Sequence, residues 1–169
     1  MRQLGERNCV WTTLATPIGR LAIEASPRGL RRLEFSGRVP ADAGRQLAGP
    51  EVKQARQHLA TALRELREYF TGRRSTFSVP LDLKGTAYQQ RVWYALQRVP
   101  FGKTLSYGKL AGEMGARGGA RAVGRACATN PVPVVVPCHR VIGSDGALHG
   151  FGGGLWRKGR LLELEGVKR

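Results

Sequence analysis

The chain is 169 residues long, enough for one or two small domains with a hydrophobic core. Hydrophobic residues make up 41% and charged residues 24%, which is the balance of a folded chain and excludes a largely disordered one. No stretch approaches the roughly eighteen apolar residues of a membrane helix, and the first twenty residues lack the apolar block of a secretory signal. The sequence therefore predicts a cytoplasmic protein that neither spans a membrane nor is exported.

The net charge narrows the choice of partner. Lys and Arg total 28 against 12 Asp and Glu, giving +16, and the sequence pI is about 11.1. A folded chain this basic is expected to bind a polyanion. Nucleic acid is the first candidate and an anionic membrane surface the second, while a merely solvated cationic surface is the third reading.

The three cysteines are too few and too scattered for a disulfide framework. Cys9, Cys127 and Cys138 form no C-x-x-C pair, and the histidines do not lie at zinc-ligand spacings beside them. We therefore expect reduced thiols, no metal and no cofactor.

The first half predicts a small α/β unit. Short apolar or alternating runs at 10–15 and 21–25 are separated by a Pro-Ile-Gly turn signal, and a less regular run at 30–35 follows. Residues 36–50 are rich in Gly, Pro and Ala and predict a loop.

A long helix is predicted next. Its apolar residues recur at steps of three, four or seven and define one face: Val52, Leu59, Leu63, Leu66 and Phe70. Gly72 is placed to end this helix. Residues 77–83 predict a strand or an extended linker, and we set the boundary between two domains there, 1–83 and 84–169.

The second half has shorter predicted helices. Thr86 followed by Gln89 has the form of a capping box, opening a helix that stops before Pro100. Trp93 in this helix is expected to be a core residue, as is Cys127 farther along.

Two further helices are predicted with a glycine-containing turn at 116–119 between them. Ser106 can cap the first, which Gly115 ends, and the second has small residues over about 119–129. In a basic protein this pair suggests a helix-turn-helix, although any helical hairpin would show the same pattern.

The last part of the chain surrounds Cys138. The apolar run 134–136 predicts a buried strand that leads into Pro137 and Cys138. A flexible turn is expected at 150–154, and a final helix over about 155–165 places three leucines toward the core: Leu161, Leu162 and Leu164.

Cys138 is the candidate nucleophile. It is followed directly by His139 and Arg140. Basic or cationic neighbours favour the reactive thiolate, and His139 could remove the proton directly or through a water molecule. The alternative is that Cys138 is a small buried hydrophobe with a histidine beside it by coincidence.

The second half closely resembles the O6-alkylguanine-DNA alkyltransferase family. The segment Pro-Cys-His-Arg-Val at 137–141 is that family's signature around the acceptor cysteine. Further ordered matches lie at 85–86, 90–96, 100–102, 106–108, 121–124, 130–133, 152–154 and 161–165. The resemblance spans about 84–166, whereas the first half matches the family's variable N-terminal domain only in length and pattern.

The resemblance implies a fold and a set of catalytic residues. The fold is α+β, with an RNase H-like α/β N-terminal domain and a mainly helical C-terminal domain carrying a winged helix-turn-helix. Cys138 would attack the alkyl carbon of O6-alkylguanine once and irreversibly. His139 would act through water as the base, Glu165 would orient it, and Asn130 would brace the link to the recognition helix, a thiol analogue of a hydrolytic triad.

The resemblance also implies how DNA is bound. The damaged nucleotide would be O6-alkylguanine or O4-alkylthymine in duplex DNA. A helix-turn-helix of the protein, bound in the minor groove of the DNA, would flip this nucleotide out of the base stack. The protein would act as a monomer. Arg121 would fill the gap in the base stack, and small residues would allow close approach. The residues implied to face DNA are Ala120, Arg121, Ala122, Gly124 and Arg125. The residues implied to line the substrate pocket are Tyr107, Val141, Phe151, Gly152 and Gly153. The backbone carbonyls of Cys138 and Val141 would accept hydrogen bonds from the guanine amine. Arg121 could instead be one surface arginine among 22, and Tyr107 only a packed aromatic.

This chain departs from the family pattern in two respects that matter. Phe151 stands where many members have tyrosine and Gly152 where some have serine, so no side-chain hydroxyl would face the guanine O6. Some members bind zinc in the N-terminal domain, but Cys9 and His58 do not make a four-ligand set.

Two other functions stay open from the sequence. A sensor of alkylated bases would flip the base and transfer nothing, although alkyltransferase-like sensors replace the acceptor cysteine that is present here. A cysteine hydrolase would leave the +16 charge unexplained, and the sequence offers it no recognisable oxyanion site.

Overall fold

The computed structural model describes residues 8–41, 43, 48–116 and 118–168. The chain divides into two compact units between Lys84 and Gly85. Parts of the predicted loop 36–50 and of the predicted turn 116–119 lie outside the described residues. Among those described, no helix is both long enough and apolar enough to cross a membrane.

The first unit contains an antiparallel sheet of three strands in the order β1-β2-β3. The strands are β1 (Val10–Thr16), β2 (Gly19–Ser26) and β3 (Gly29–Glu34). The central strand β2 is buried from Leu21 to Ser26 without alternation, as expected for a strand covered on both faces. The three strands confirm the predicted α/β character of this half.

One long helix, α1 (Pro50–Phe70), packs against this sheet. The helix begins with Pro50, which is tolerated because a backbone N–H at the first position would have no partner within the helix. Gly72, with φ of 72°, follows the end of the helix as predicted. The predicted buried face needs correction, because Leu63 and Phe70 are only half-buried. The buried face consists of Val52, Ala55, Leu59, Ala62, Glu65, Leu66 and Tyr69.

The predicted strand at 77–83 is an extended segment with a single bridge, between Leu81 and Leu30. The N–H of Leu30 donates to the carbonyl of Pro80 at 2.7 Å. Gly29 has φ of 151°, and any Cβ there would collide with that carbonyl. The segment therefore lies close along β3 without forming a regular strand.

The second unit is mainly helical, as predicted. It contains α2 (Ala87–Leu96), α3 (Tyr107–Glu113), α4 (Ala120–Ala128) and α5 (Leu155–Leu164). Both hydrogen bonds of the capping box at Thr86 and Gln89 are present, and Ser106 caps α3. Trp93 is 1% exposed and its indole N–H donates to the carbonyl of Ala126 at 2.8 Å, which fixes α2 against α4.

Two short strands connect α3 to the segment that carries Cys138. They are β4 (Leu105–Ser106) and β5 (Val141–Ile142), and they pair in parallel. Because α3 begins directly after β4, this pairing places the first turn of α3 beside the residues that follow Cys138. In α5, Leu161 and Leu162 are fully buried as predicted, but Leu164 is only half-buried.

Candidate active site

Cys138 begins a 3₁₀ turn (Cys138–Arg140) and is only 5% exposed. The side-chain amide of Asn130 donates to its sulfur at 3.2 Å and to the carbonyl of Val136 at 2.8 Å. The amide oxygen of Asn130 accepts from the N–H of Val132 at 3.0 Å. One asparagine, two residues beyond the end of α4, thus holds both the sulfur and the chain that leads to it.

The predicted strand at 134–136 is wrong. The chain turns back here, with the N–H of Val136 donating to the carbonyl of Val132 at 2.9 Å. Val134 has φ of 77°, a left-handed conformation that costs free energy for a β-branched residue. The valines are buried as a strand would be, but they form a tight turn that aims Cys138 toward Asn130.

The surroundings of Cys138 favour the protonated thiol over the thiolate. Burial raises its pKa, and the hydrogen bond from Asn130 and the positive charge of Lys158 partly oppose that rise. Of the two basic residues that follow Cys138, Arg140 has its guanidinium bound to Glu165 and to the carbonyl of Val99. The cation whose charge acts on the sulfur is Lys158.

His139 is fully buried and its Nε2 lies 2.7 Å from Oε1 of Glu165. Burial lowers the pKa of His139, and the hydrogen bond to Glu165 opposes that change only in part. The neutral imidazole with its proton on Nε2 fits this contact, which leaves the lone pair on Nδ1. Among the described residues, nothing hydrogen-bonds to Nδ1, although the atom is buried. Nδ1 is therefore available as a base.

Glu165 is bound from several sides. Arg140 donates Nε to Oε2 at 2.9 Å and Nη2 to Oε1 at 3.0 Å, and the N–H of Gly102 donates to Oε2 at 3.1 Å. Burial alone would raise the pKa of Glu165, but the hydrogen bonds from His139 and Arg140 outweigh it and hold the pKa at about 2. A third guanidinium nitrogen of Arg140 donates to the carbonyl of Val99 at 2.6 Å. Glu165 is thus a fixed anion that orients His139.

This network makes the folded state sensitive to acid. The pKa of Glu165 falls from its ordinary 4.5 to about 2 on folding, so its contribution is complete above pH 4.5 and is lost as the pH falls toward 2. That loss amounts to roughly 3 kcal/mol. His139 acts in the same direction below pH 6.5, because the unfolded chain binds its proton more readily. We expect the free energy of unfolding, measured in urea by tryptophan fluorescence, to fall steadily between pH 7 and pH 3.

The matched control for this prediction is Glu163→Gln, which lies in the last turn of α5, two residues before Glu165. Glu163 pairs with Arg160 at 3.3 Å on an exposed surface, where ion pairs contribute little. Its removal should leave the acid dependence unchanged. An unfolding free energy that stays flat from pH 7 to pH 3 would contradict the prediction.

Lys158 is a site residue that the sequence analysis missed. It is fully buried in α5, and its Nζ donates to the carbonyl of His149 at 2.6 Å and to the hydroxyl of Tyr107 at 3.3 Å. Burial lowers its pKa. Lys158 shares a helix face with Leu161, Leu162 and Glu165 at steps of three and four. That periodicity was the signal that a lysine would be buried there.

Tyr107, the first residue of α3, lies against Lys158, whose Nζ is 5.5 Å from the ring centre. Its hydroxyl donates to the carbonyl of His149 at 3.2 Å. Burial raises the pKa of Tyr107 to about 12, so it stays a neutral phenol near neutral pH. Both side chains therefore fix the start of the loop that includes Phe151, Gly152 and Gly153.

That loop is also tied to α5. Arg157 donates to the carbonyl of Gly153 at 2.7 Å and stacks 4.4 Å from the ring centre of Trp156. Phe151 is half-buried and Gly153 is buried, while Gly152 is exposed with open space where a side chain would begin. Val141 is fully buried in β5, and its N–H donates to the carbonyl of Cys138. A carbonyl keeps a second lone pair, so the carbonyl of Cys138 can still accept from a ligand.

The predicted DNA-facing helix α4 has two faces. Val123, Ala126 and Cys127 are buried, so Cys127 is a core residue as predicted. Arg121 and Arg125 are exposed one turn apart, and neither has an acidic partner among the residues that the structure describes. A Cβ at position 124 would lie 3.9 Å from the Tyr107 ring, an ordinary van der Waals distance, so this face of α4 lies beside the start of α3.

Both units match family models. Residues 9–83 match the 6-O-methylguanine DNA methyltransferase ribonuclease-like domain, and residues 87–167 match the DNA-binding domain of the same family. Within the described ranges of the chain, no group of three or more His, Cys, Asp or Glu side chains is placed to hold a metal ion.

Relatives of known name agree over most of the chain. A methylated-DNA--protein-cysteine methyltransferase of Mycolicibacterium paratuberculosis is 46% identical over 83% of this chain and 88% of its own length. The constitutive enzyme of that name from Bacillus subtilis is 42% identical over 93% and 95%. The crystal structure of Mycobacterium tuberculosis OGT in complex with DNA is 42% identical, with a TM-score of 0.78 over 92% and 91%. The chain therefore belongs to the 6-O-methylguanine-DNA methyltransferase family, as the sequence around Cys138 indicated.

Proposed function

We propose that this protein repairs duplex DNA by moving an alkyl group from O6 of guanine to the sulfur of Cys138, once per protein molecule. The observation that carries the proposal is a pair of contacts at consecutive residues, from Asn130 to the sulfur of Cys138 and from His139 to Glu165. A buried thiol next to a neutral imidazole with one unbound nitrogen is suited to a displacement that needs a thiolate only while substrate is bound.

The reaction balances without a cofactor. The thiol proton of Cys138 passes, through water, to Nδ1 of His139, and Glu165 stabilises the resulting imidazolium. The sulfur then attacks the alkyl carbon and forms a C–S bond while the C–O6 bond breaks. Guanine leaves with the bonding electron pair and takes up a proton, so the base is restored and the protein keeps a stable thioether.

DNA would reach this site through α4. Arg121 and Arg125 are the exposed cations of that helix, and Ala120, Ala122 and Gly124 keep it slim enough for the minor groove. Arg121 would replace the flipped nucleotide in the base stack. Tyr107, Phe151, Gly152 and Gly153 would surround the flipped base, with the carbonyls of Cys138 and Val141 accepting from its amine.

Two features of the pocket bear on the range of substrates. Phe151 and Gly152 carry no hydroxyl, so donation to the leaving oxygen falls on backbone N–H groups. Gly152 is exposed and adds no side chain to this edge of the site, and we infer that adducts larger than methyl are accepted there. We include O4-alkylthymine as a second substrate, and we infer that the protein works as a monomer in the cytoplasm, where its three free cysteines stay reduced.

A stoichiometric transfer assay tests the proposal. With duplex DNA carrying radiolabelled O6-methylguanine, one label per protein should move to the chain, and intact mass should rise by one methyl group. Cys138→Ala should transfer nothing, whereas Cys127→Ala, which removes the other thiol of this unit, should transfer normally. Label that stays on DNA with protein in excess would favour a sensor, and repeated turnover of small esters would favour a hydrolase.

A further inference from the structure

The exposed face of α1 carries a row of cations that the proposed chemistry does not use. We define the α1 cationic stripe as Lys53, Arg56, Arg64 and Arg67, all of them exposed. At 100° per residue these four side chains fall within a sector of about 80°, and they extend for roughly 21 Å along the helix. Ala60 lies in the middle of the same sector.

The stripe is poorly neutralised. Its recorded ion pair joins Arg64 to Glu68 at 3.8 Å, and Glu68 is bound more closely by Arg74 at 2.7 Å. Lys53, Arg56 and Arg67 have no acidic partner among the residues that the structure describes. Like charges three residues apart destabilise an isolated helix. A compensating ligand would therefore be a polyanion.

The charge is not confined to the DNA-binding unit. Residues 1–84 contain 15 Lys and Arg against 8 Asp and Glu, which is +7 of the total +16. This share of the charge lies in the unit for which the proposed alkyl transfer gives no role.

The shape of the stripe favours DNA over a membrane. An interfacial helix needs an apolar face toward the lipid, but α1 buries its apolar face against the sheet of its own unit. The exposed large hydrophobic residues of the described chain are Val39, Tyr94, Leu155 and Trp156, and none lies on α1. The four cations of the stripe lie on either side of Ala60, whose small side chain leaves space for a DNA strand to approach. Phosphate groups are bound through charge and carry no sequence information, so this arrangement suits a phosphate backbone.

We propose that the α1 cationic stripe is a second DNA-binding surface, which holds the phosphate backbone of undamaged duplex through the N-terminal unit. This surface would increase the fraction of time for which the protein is bound to undamaged DNA between encounters with lesions. It adds to the proposed repair activity and does not depend on transfer to Cys138.

The test uses the full chain with four substitutions, Lys53→Gln, Arg56→Gln, Arg64→Gln and Arg67→Gln, which keep helix propensity. Binding to an undamaged fluorescent duplex is measured by anisotropy across NaCl concentrations. Each lost phosphate contact should reduce the slope of log K against log salt by about 0.9. We expect the slope to fall by about two to four and the affinity at low salt to fall at least tenfold.

The control removes the same charge from scattered exposed positions: Arg20, Arg73, Arg160 and Lys168, each to Gln. Equal slopes for the stripe variant and this control would overturn the proposal, as would a loss of binding to anionic vesicles with DNA binding intact. Two half-variants, Lys53/Arg56 and Arg64/Arg67, guard against misfolding and should each give about half the change in slope. Methyl transfer from a short lesion-bearing duplex at saturating protein should stay complete in all variants, so failure of the stripe and failure of repair are read separately.

Discussion

Replacing Glu165 with glutamine is expected to slow methyl transfer by about 10²–10⁴-fold, the range that general acid–base groups contribute. The carboxylate accepts from His139, from two nitrogens of Arg140 and from the N–H of Gly102. A glutamine amide has one oxygen and one NH₂ group, so one donor must face another. The imidazole then loses the anion that fixes its tautomer and stabilises its protonated form.

The same change should destabilise the fold. Arg140 is 5% exposed and would keep its charge without a counterion, and breaking a buried pair on one side costs about 3–5 kcal/mol. Single-turnover transfer should be measured at a temperature where near-ultraviolet circular dichroism shows the variant folded. Glu163→Gln is the control and should transfer and unfold like the unmodified chain. Transfer at the normal rate by a folded Glu165→Gln protein would remove Glu165 from the mechanism.

Replacing Lys158 with methionine is expected to raise the pKa of Cys138 and to slow its reaction with iodoacetamide at neutral pH by about tenfold. The positive charge of Lys158 is among the groups that lower the thiol pKa against the effect of burial. Methionine keeps most of the side-chain volume without the charge. The midpoint of the rate against pH should therefore move upward.

Two controls separate charge from packing in this experiment. Lys168→Met removes an exposed lysine and should leave the midpoint in place. Tyr107→Phe removes the hydroxyl that Lys158 contacts at 3.3 Å while keeping the cation, so the midpoint should also hold. An unchanged midpoint in Lys158→Met would show that Lys158 only anchors the loop at His149.

The sequence was sufficient where local chemistry decides the structure. The capping box at Thr86 and the cap at Ser106 satisfy backbone donors within three residues, so the pattern and the outcome coincide. Lys158 shows a different limit, since its helix face marks it as buried but only the folded unit shows that Tyr107 and His149 receive its donors.

The valines before Cys138 show where hydrophobicity misleads. The apolar run 134–136 resembles a strand in the sequence, but the side chain of Asn130 binds the N–H of Val132 and the carbonyl of Val136, and the chain between them forms a turn. The positive φ of Val134 accompanies these side-chain contacts, which the strand propensity of three valines does not contain. The binding of Arg140 to Glu165 could not be predicted from the local sequence, because Glu165 lies 25 residues farther along the chain.

The burial of the Cys138 sulfur would limit its side reactions, which matters in a protein that transfers only one alkyl group. A thiol kept protonated and 5% exposed reacts slowly with peroxide and with small electrophiles in the cell. Each protein molecule can thus remain unreacted for long intervals. The amount of unalkylated protein would then be set by the rate of synthesis and by the number of lesions, and not by oxidation of the thiol.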